Sequence, residues 1–181
     1  MNELDQLDSI FTENRNRLND IIKQFQFISK FEFTLNKDMV YTQGDLINYP
    51  GIYKIDIKIP ENVELNDWID KFEKQWGHED YQRHFVPNIK KKRRNAFHLD
   101  ITTWYPLYIG KSINISKRIR DHIHFKLSRT TTALKLLERV NIYGNEFRIS
   151  TIEIQVKNYD LIVSEFENYF REEINPIIGR K

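Results

Sequence analysis

The chain has 181 residues, of which 40% are hydrophobic and 30% charged, and its formal net charge at pH 7 is +2. This hydrophobic content is enough for a packed core and excludes a wholly disordered chain. The sequence contains no cysteine, which excludes disulfides and thiolate metal sites, so a cytoplasmic location is expected. The polar residues 1–8 are not expected to act as a signal peptide, and no apolar run reaches membrane-spanning length.

The first fifty residues contain helix and strand patterns. Residues 3–28 carry apolar side chains at three- and four-residue spacing, which predicts one amphipathic helix or two. Phe31, Phe33 and Leu35 alternate with polar residues, which indicates a short strand. Asn, Tyr, Pro and Gly at 48–51 predict a turn before the next element.

The middle of the chain is predicted to hold two strands separated by a helix. Residues 51–58 alternate as a strand does, and Pro60 ends this pattern. A helix with Asn66 as its N-cap is expected over 66–76. After a polar, basic loop, residues 107–109 form a second short strand.

The last third of the chain predicts helix, helix, strand and helix. Isoleucines at four-residue spacing indicate a helix over 114–127, and a second helix is expected over 131–140. Residues 147–156 alternate as a strand, with one slip in phase near Ser150. The final helix is predicted over 159–173, before an Asn-Pro stop.

Five sequence elements occur in a fixed order on these predicted structures. Gly51-Ile52-Tyr53 opens one strand and Tyr108-Ile109-Gly110 closes the next. Arg118 and His122 follow at i and i+4 on one helix, and Glu167 lies on the last helix, nine residues before a proline. This arrangement resembles the GIY-YIG nuclease family, whose name is those two tripeptides.

The resemblance covers residues 51–58 and 104–179. It implies an α/β (α+β) fold in which a small, mainly antiparallel three-stranded sheet is flanked by helices. One domain is expected over residues 1–181. Its parts are a helical N-terminal extension (1–50), a catalytic core (51–58 and 104–181) and a large insertion between the first two core strands (59–103), which is predicted to recognise DNA.

Two features depart from the family pattern. The 54 residues between Tyr53 and Tyr108 replace a connection that is usually a short hairpin. Enlarged connections at this point occur in the restriction enzymes of the family. The second departure is Gly179, at a position where many members have asparagine.

The site residues also have simpler interpretations. Arg118 and His122 could be a surface arginine and a half-buried histidine at the edge of the isoleucine stripe. Glu167 shares its helix face with apolar side chains, where a carboxylate is costly unless it is paired, for example with Arg118, or bound to metal. Lys111 is predicted to contact phosphate, and Ser112 either contacts DNA or caps the following helix.

The resemblance implies hydrolysis of a DNA phosphodiester with one Mg²⁺ per active site, for which Mn²⁺ can substitute. Glu167 would be its only protein ligand. Tyr53 is the candidate general base and needs cationic neighbours, such as Lys111 and Arg118, to lower its pKa from about 10. Arg118 would neutralise charge on the phosphoryl oxygens. The residues that would position water and phosphate are Tyr108 and His122.

Positive charge is concentrated in the middle of the sequence. Residues 83–129 contain twelve Lys or Arg and only two acidic residues. Such a local excess favours a polyanion, although a solvated basic face is the alternative. Double-stranded DNA is the expected partner. The predicted DNA contacts are Arg83, Lys90, Lys91, Lys92, Arg93, Arg94, Ser112, Lys117 and Arg120.

A compact nuclease with its own recognition segment resembles a type II restriction endonuclease of a restriction-modification system. With one site per chain, cutting both strands requires a homodimer or a higher homo-oligomer. A structure-specific repair or recombination nuclease and a catalytically silent DNA-binding protein on the same scaffold are the alternatives.

Overall fold

The computed structural model describes residues 2–82, 87–89 and 103–179. Three short 3₁₀ turns cover Gly44–Ile47, Leu136–Glu138 and Val140–Ile142. In the described ranges, no helix is both long and apolar enough to cross a lipid bilayer. The helices and strands are α1 (Glu3–Ile22), β1 (Ile28–Thr34), β2 (Gly51–Lys58), α2 (Leu65–Trp76), α3 (Glu79–Gln82), β3 (Trp104–Ser112), α4 (Ile115–His124), β4 (Glu146–Glu153) and α5 (Tyr159–Ile174).

The strands form one antiparallel sheet in the order β1-β4-β2-β3. The α+β class is therefore confirmed, but the sheet has four strands where three were expected. The additional strand is β1, which pairs with β4 from Ile28 opposite Thr151 to Thr34 opposite Glu146. Its Phe33 ring stacks on Phe147 at a centroid distance of 5.4 Å, so the N-terminal extension is part of the sheet.

Helices cover both faces of the sheet. Ile55 of β2 lies in one buried cluster with Ile119 of α4. Ile52, three residues earlier on the same strand, lies in a second cluster with Phe166 of α5 and Ile22 at the end of α1. Because successive side chains of a strand face opposite sides, α4 packs on one face and α5 with α1 on the other.

This double burial explains the slip in phase predicted near Ser150. Phe147 and Ile149 of β4 belong to the α4 side, whereas Ile152 belongs to the α5 side. Ser150 is itself buried, so the strand has apolar residues on both faces and no single alternating pattern. The pairing register between β1 and β4 also shifts here, opposite Ser29 and Phe31.

The insertion begins with a helix that is part of the core. In α2, Trp68, Ile69, Phe72 and Trp76 are all buried. The helix begins at Leu65, and Glu64 occupies the N-cap position, so the predicted role of Asn66 as the cap is wrong. The first part of the insertion therefore contributes four large side chains to the core.

The predicted helix over 131–140 is wrong. In this segment Lys135 has a left-handed backbone conformation with φ 57°, and 3₁₀ turns follow it. Lys135 and Arg139 are both fully buried, and their side chains donate hydrogen bonds to the backbone carbonyls of Leu127 and Leu134, respectively. Because buried cations require such acceptors, side-chain bonding to the backbone takes the place of a regular helix here.

Candidate active site

Tyr53 and Tyr108 lie side by side on the α4 face of the sheet. The register places Tyr53 opposite Gly110 and Ile55 opposite Tyr108, so the two tyrosines are diagonal neighbours on adjacent strands. Their ring centroids are 6.2 Å apart with an angle of 27° between the rings. The two tripeptides thus bring both phenols to one place.

The glycines of the two tripeptides have separate structural reasons. A Cβ on Gly110 would lie 2.4 Å from the Tyr53 hydroxyl oxygen, so the ring of Tyr53 fills the space that a side chain would need. A Cβ on Gly51 would lie 2.1 Å from the carbonyl oxygen of Ile152, and φ there is +154°. Gly110 therefore leaves room for the ring of Tyr53 in the site, and Gly51 allows β2 to approach β4.

His122 is fully buried and hydrogen bonded at both ring nitrogens. Its Nε2 lies 2.8 Å from the Tyr53 hydroxyl oxygen, and its Nδ1 accepts a hydrogen bond of 3.0 Å from the backbone N–H of Leu134. Burial, with a smaller contribution from the charge of Arg118, lowers the pKa of His122 well below 6.5. The imidazole is therefore neutral and carries its proton on Nε2, which donates a hydrogen bond to the Tyr53 oxygen.

Tyr53 remains protonated in this environment. Burial and the neighbouring Tyr108 raise the pKa of its phenol well above 10, although Arg118 acts in the opposite direction. Lys111 does not provide the expected help, because its ammonium group donates a hydrogen bond to Ser164 on α5. Since the Tyr53 oxygen accepts from His122, its own proton is available for donation to a bound group.

Arg118 provides a fixed positive charge beside the two phenols. Burial alone would lower the pKa of its guanidinium, but interactions with Tyr53 and Tyr108 outweigh burial and raise it. One terminal nitrogen also donates a hydrogen bond of 3.1 Å to the Thr132 hydroxyl. Tyr53, Tyr108, Arg118 and His122 thus form one cluster between the sheet and α4.

Glu167 lies on α5, the helix on the opposite face of the sheet from this cluster. Its carboxylate charge contributes to raising the pKa of Tyr53, and it adds to burial in raising the pKa of Tyr159 to about 12. Its side chain is 17% exposed, and its Oε1 lies 3.6 Å from a terminal nitrogen of Arg171. The suggested ion pair with Arg118 is therefore replaced by one with Arg171.

The C-terminal segment fixes α5 against β3. Asn175 ends α5 in a left-handed conformation with φ 53°, and the backbone N–H groups of Ile177 and Ile178 donate to the carbonyls of Pro106 and Leu107. A side chain at Gly179 would have its Cβ 3.3 Å from the guanidinium of Arg171. This part of the chain therefore determines where Glu167 and its ion partner lie.

The donor chemistry of Glu167 suits a hard divalent cation. Carboxylate oxygens are typical ligands of Mg²⁺, which usually keeps several water ligands. In the parts of the chain that the structure describes, no three or more His, Asp or Glu side chains form a metal-binding group. A cation here would therefore have Glu167 as its protein ligand, with water and phosphate oxygens as the remainder.

The remaining predicted contacts are only partly described. Ser112 bonds locally to the backbone of Asn114, while the side chain of Asn114 caps α4, so the predicted cap role of Ser112 is wrong. Lys117 and Arg120 are exposed on α4 and line a cavity of about 400 Å³. The predicted contacts outside the described residues are Arg83, Lys90, Lys91, Lys92, Arg93 and Arg94.

Several groups at the site were not predicted from the sequence. The backbone N–H of Leu134, which determines the tautomer of His122, has no sequence signal because it depends on a loop conformation. Thr132, which accepts from Arg118, belongs to the same loop. Arg171 lies four residues after Glu167, and this helical spacing could have identified it.

No protein-family model, curated protein or solved structure matches this chain. Its function therefore has to be inferred from the chemistry of the site.

Proposed function

We propose that this protein is a metal-dependent DNA endonuclease of the GIY-YIG type that hydrolyses phosphodiester bonds. The observation that carries the proposal is the buried hydrogen bond between Tyr53 and His122, with Tyr108 and Arg118 beside it. The Glu167 carboxylate, on the α5 face, acts on Tyr53 through its charge. This set combines proton-bearing hydroxyls, a permanent cation and a carboxylate, which is the chemistry that phosphoryl transfer requires.

The proposed roles follow from the charges of the groups. Arg118 binds the phosphate and stabilises charge that develops on its oxygens, since its guanidinium is always charged. His122 is a fixed donor that orients the Tyr53 hydroxyl, and Tyr108 positions water and phosphate. Tyr53 is the proposed general base in its ionised form, which it reaches by losing its proton to solvent, because His122 holds its own proton on Nε2 and donates a hydrogen bond to the phenolate. Mg²⁺ bound at Glu167, or Mn²⁺ in its place, would stabilise the leaving oxygen.

DNA is the proposed substrate because two exposed cations, Lys117 and Arg120, lie on α4 beside this site, in a cavity that Asp45 also lines. The cavity lined by Lys117 and Arg120 lies at the first turns of α4, next to the helix residues that reach the tyrosines. Its other lining groups include the hydroxyls of Tyr41 and Ser116 and the amide of Asn48, all of which can bond to phosphate oxygens. The DNA backbone is therefore proposed to cross the N-terminal part of α4.

A sequence-specific type II restriction endonuclease acting as a homodimer or higher homo-oligomer is the preferred form of this proposal. The alternatives are a structure-specific repair or recombination nuclease and a catalytically silent DNA-binding protein. Digestion of a long DNA of known sequence with Mg²⁺ separates them. Discrete fragments indicate the first, a smear or cuts confined to branches indicates the second, and intact DNA that is nevertheless bound indicates the third.

The metal assignment is tested with Glu167→Ala. This variant is expected to lose Mg²⁺-dependent plasmid cleavage by at least about a hundredfold while it still binds DNA. The matched control is Glu172→Ala, which removes an exposed carboxylate from the same helix and should cleave normally. Cleavage by Glu167→Ala at a near-normal rate would refute the role of Glu167.

A further inference from the structure

The first two-thirds of α1 extend away from the rest of the described molecule. Residues 3–17 are exposed, and the apolar packing of α1 on α5 involves the end that contains Leu18 and Ile22. Leu4 is 74% exposed and Phe11 is 62% exposed. A projecting helix with large apolar side chains in water indicates a surface for another molecule.

Apart from Ile10 and the buried Ile22, the apolar side chains of α1 follow the spacing of a coiled-coil seam. They recur at alternating intervals of three and four residues, which is the spacing of positions a and d in a heptad repeat. One d position holds a polar residue, of the kind that specifies register and the number of helices. The seam residues are Leu4, Leu7, Phe11, Asn14, Leu18 and Ile21.

The charges beside the seam favour a second copy of the same helix in antiparallel orientation. With Leu4 at position a, Asp8 and Arg15 both occupy position e. In an antiparallel pair, e positions face each other, so Asp8 of each copy lies near Arg15 of the other. A parallel pair would instead place Glu3 opposite Asp8 of its partner, which are like charges.

Arg15 can serve in this pairing although it has a partner within its own chain. Its Nε lies 3.2 Å from a carboxylate oxygen of Glu165, and its side chain is 66% exposed. A guanidinium has five N–H donors, so the remaining donors can bind a second carboxylate.

We propose that α1 binds α1 of a second copy of this chain, as an antiparallel pair around a two-fold axis between Phe11 and Asn14. Leu4 and Leu7 of one copy then pack against Ile21 and against the part of Leu18 that α5 leaves exposed in the other. The pairing would provide the two-chain assembly of the proposed nuclease. Its test measures assembly and not cleavage, so either proposal can fail without the other.

The first experiment is sedimentation equilibrium of the full-length protein. The wild type is expected to show twice the chain mass of 22.0 kDa, and Phe11→Asp to show one chain mass with unchanged circular dichroism. Because Phe11 is exposed, this substitution leaves the fold of each chain intact. A wild-type monomer at 100 µM, or a Phe11→Asp dimer, would overturn the proposal.

A charge exchange tests the orientation. Asp8→Arg and Arg15→Asp should each weaken the dimer by roughly tenfold, because each replaces two attractive pairs by repulsive ones. The double variant restores both pairs and should return to wild-type affinity. Glu165→Gln is the control, since it removes only the intrachain ion pair and should leave the dimer unchanged. A double variant as weak as the single ones contradicts antiparallel pairing.

Cysteine cross-linking gives an independent test, because the natural chain has no cysteine. A mixture of Leu4→Cys and Ile21→Cys proteins should form mixed disulfides under mild oxidation. Each variant alone should form few, since identical positions lie far apart in the antiparallel pair. Efficient cross-linking of Leu4→Cys with itself would overturn the orientation.

Discussion

At the scale of single residues, His122 shows how burial selects one protonation state. The unfolded chain binds a proton at this residue below about pH 6.5, whereas the folded chain does not, because burial and Arg118 lower its pKa. The contribution of His122 to the free energy of unfolding is therefore complete above pH 6.5 and decreases as the pH falls toward the lowered pKa. The limiting slope is about 1.4 kcal/mol per pH unit.

Urea unfolding between pH 7.5 and 5 measures this dependence. His122→Gln should remove most of the slope that the wild type shows below pH 6.5. The control is His124→Gln, whose smaller effect is expected because His124 is only partly buried, although its pKa is also lowered by burial and Arg120. Equal pH dependence of the wild type and His122→Gln would show that His122 is not buried in its neutral form.

Tyr53 gives the second prediction at this scale. Because its pKa is raised well above 10 by burial and Tyr108, only a small fraction is ionised near neutral pH. The single-turnover rate of DNA cleavage should then rise about tenfold per pH unit between pH 7 and 9. Tyr53→Phe should lower the rate by roughly a hundredfold or more. Tyr169→Phe is the control, and retention of a tenth of the rate by Tyr53→Phe would exclude the base role.

At the scale of elements, the loop before β4 depends on one buried cation. Arg139 lies over the Trp76 ring at 3.7 Å and over Tyr81 at 4.8 Å. Its nitrogens donate to the carbonyls of Leu134 and Trp76. Since the N–H of Leu134 binds His122, Arg139 connects α2 of the insertion to the loop that positions the histidine.

Arg139→Leu should therefore lower the free energy of unfolding by about 2 kcal/mol, because two buried carbonyls lose their donors and the stacking on Trp76 is lost. Arg139→Lys should recover little, since lysine lacks the planar group. Arg129→Leu, an exposed residue nearby, should change stability by less than about 0.5 kcal/mol. A stable Arg139→Leu protein in urea unfolding would refute this role.

The same loop marks where sequence reasoning fails at this scale. Strand β2 and helices α2 and α5 agree with the predicted bounds within about one residue, because their apolar periods are regular. Helix α4 and strand β4 end at His124 and Glu153, short of the predicted ends at 127 and 156. The helix over 131–140 was predicted from local pattern alone, and two buried cations override that pattern. Likewise, the alternation of Phe31, Phe33 and Leu35 predicts the strand β1, but its pairing with β4, more than a hundred residues away, has no local signal in the sequence.

At the scale of the whole molecule, the net charge of +2 is distributed unevenly between the two faces of the sheet. Helices α1 and α5 on one face of the sheet are rich in Asp and Glu, whereas α4 on the other face carries Lys117, Arg118 and Arg120 with a single acid, Asp121. A field of this kind attracts a polyanion toward the α4 face. It is consistent with a second copy binding at α1 while DNA binds at α4.

Variants of two exposed cations on α4 test this arrangement of charge. In a Glu167→Ala background, Lys117→Ala with Arg120→Ala should weaken DNA binding and reduce the slope of log K against log salt by about 1.8, because two phosphate contacts are lost. Lys23→Ala with Lys157→Ala removes the same charge near α1 and α5 and should leave the slope unchanged. Fluorescence anisotropy between 50 and 200 mM salt gives both slopes. Equal losses in the two double variants would mean that DNA responds to total charge alone, and the α4 face would then have no special part in binding.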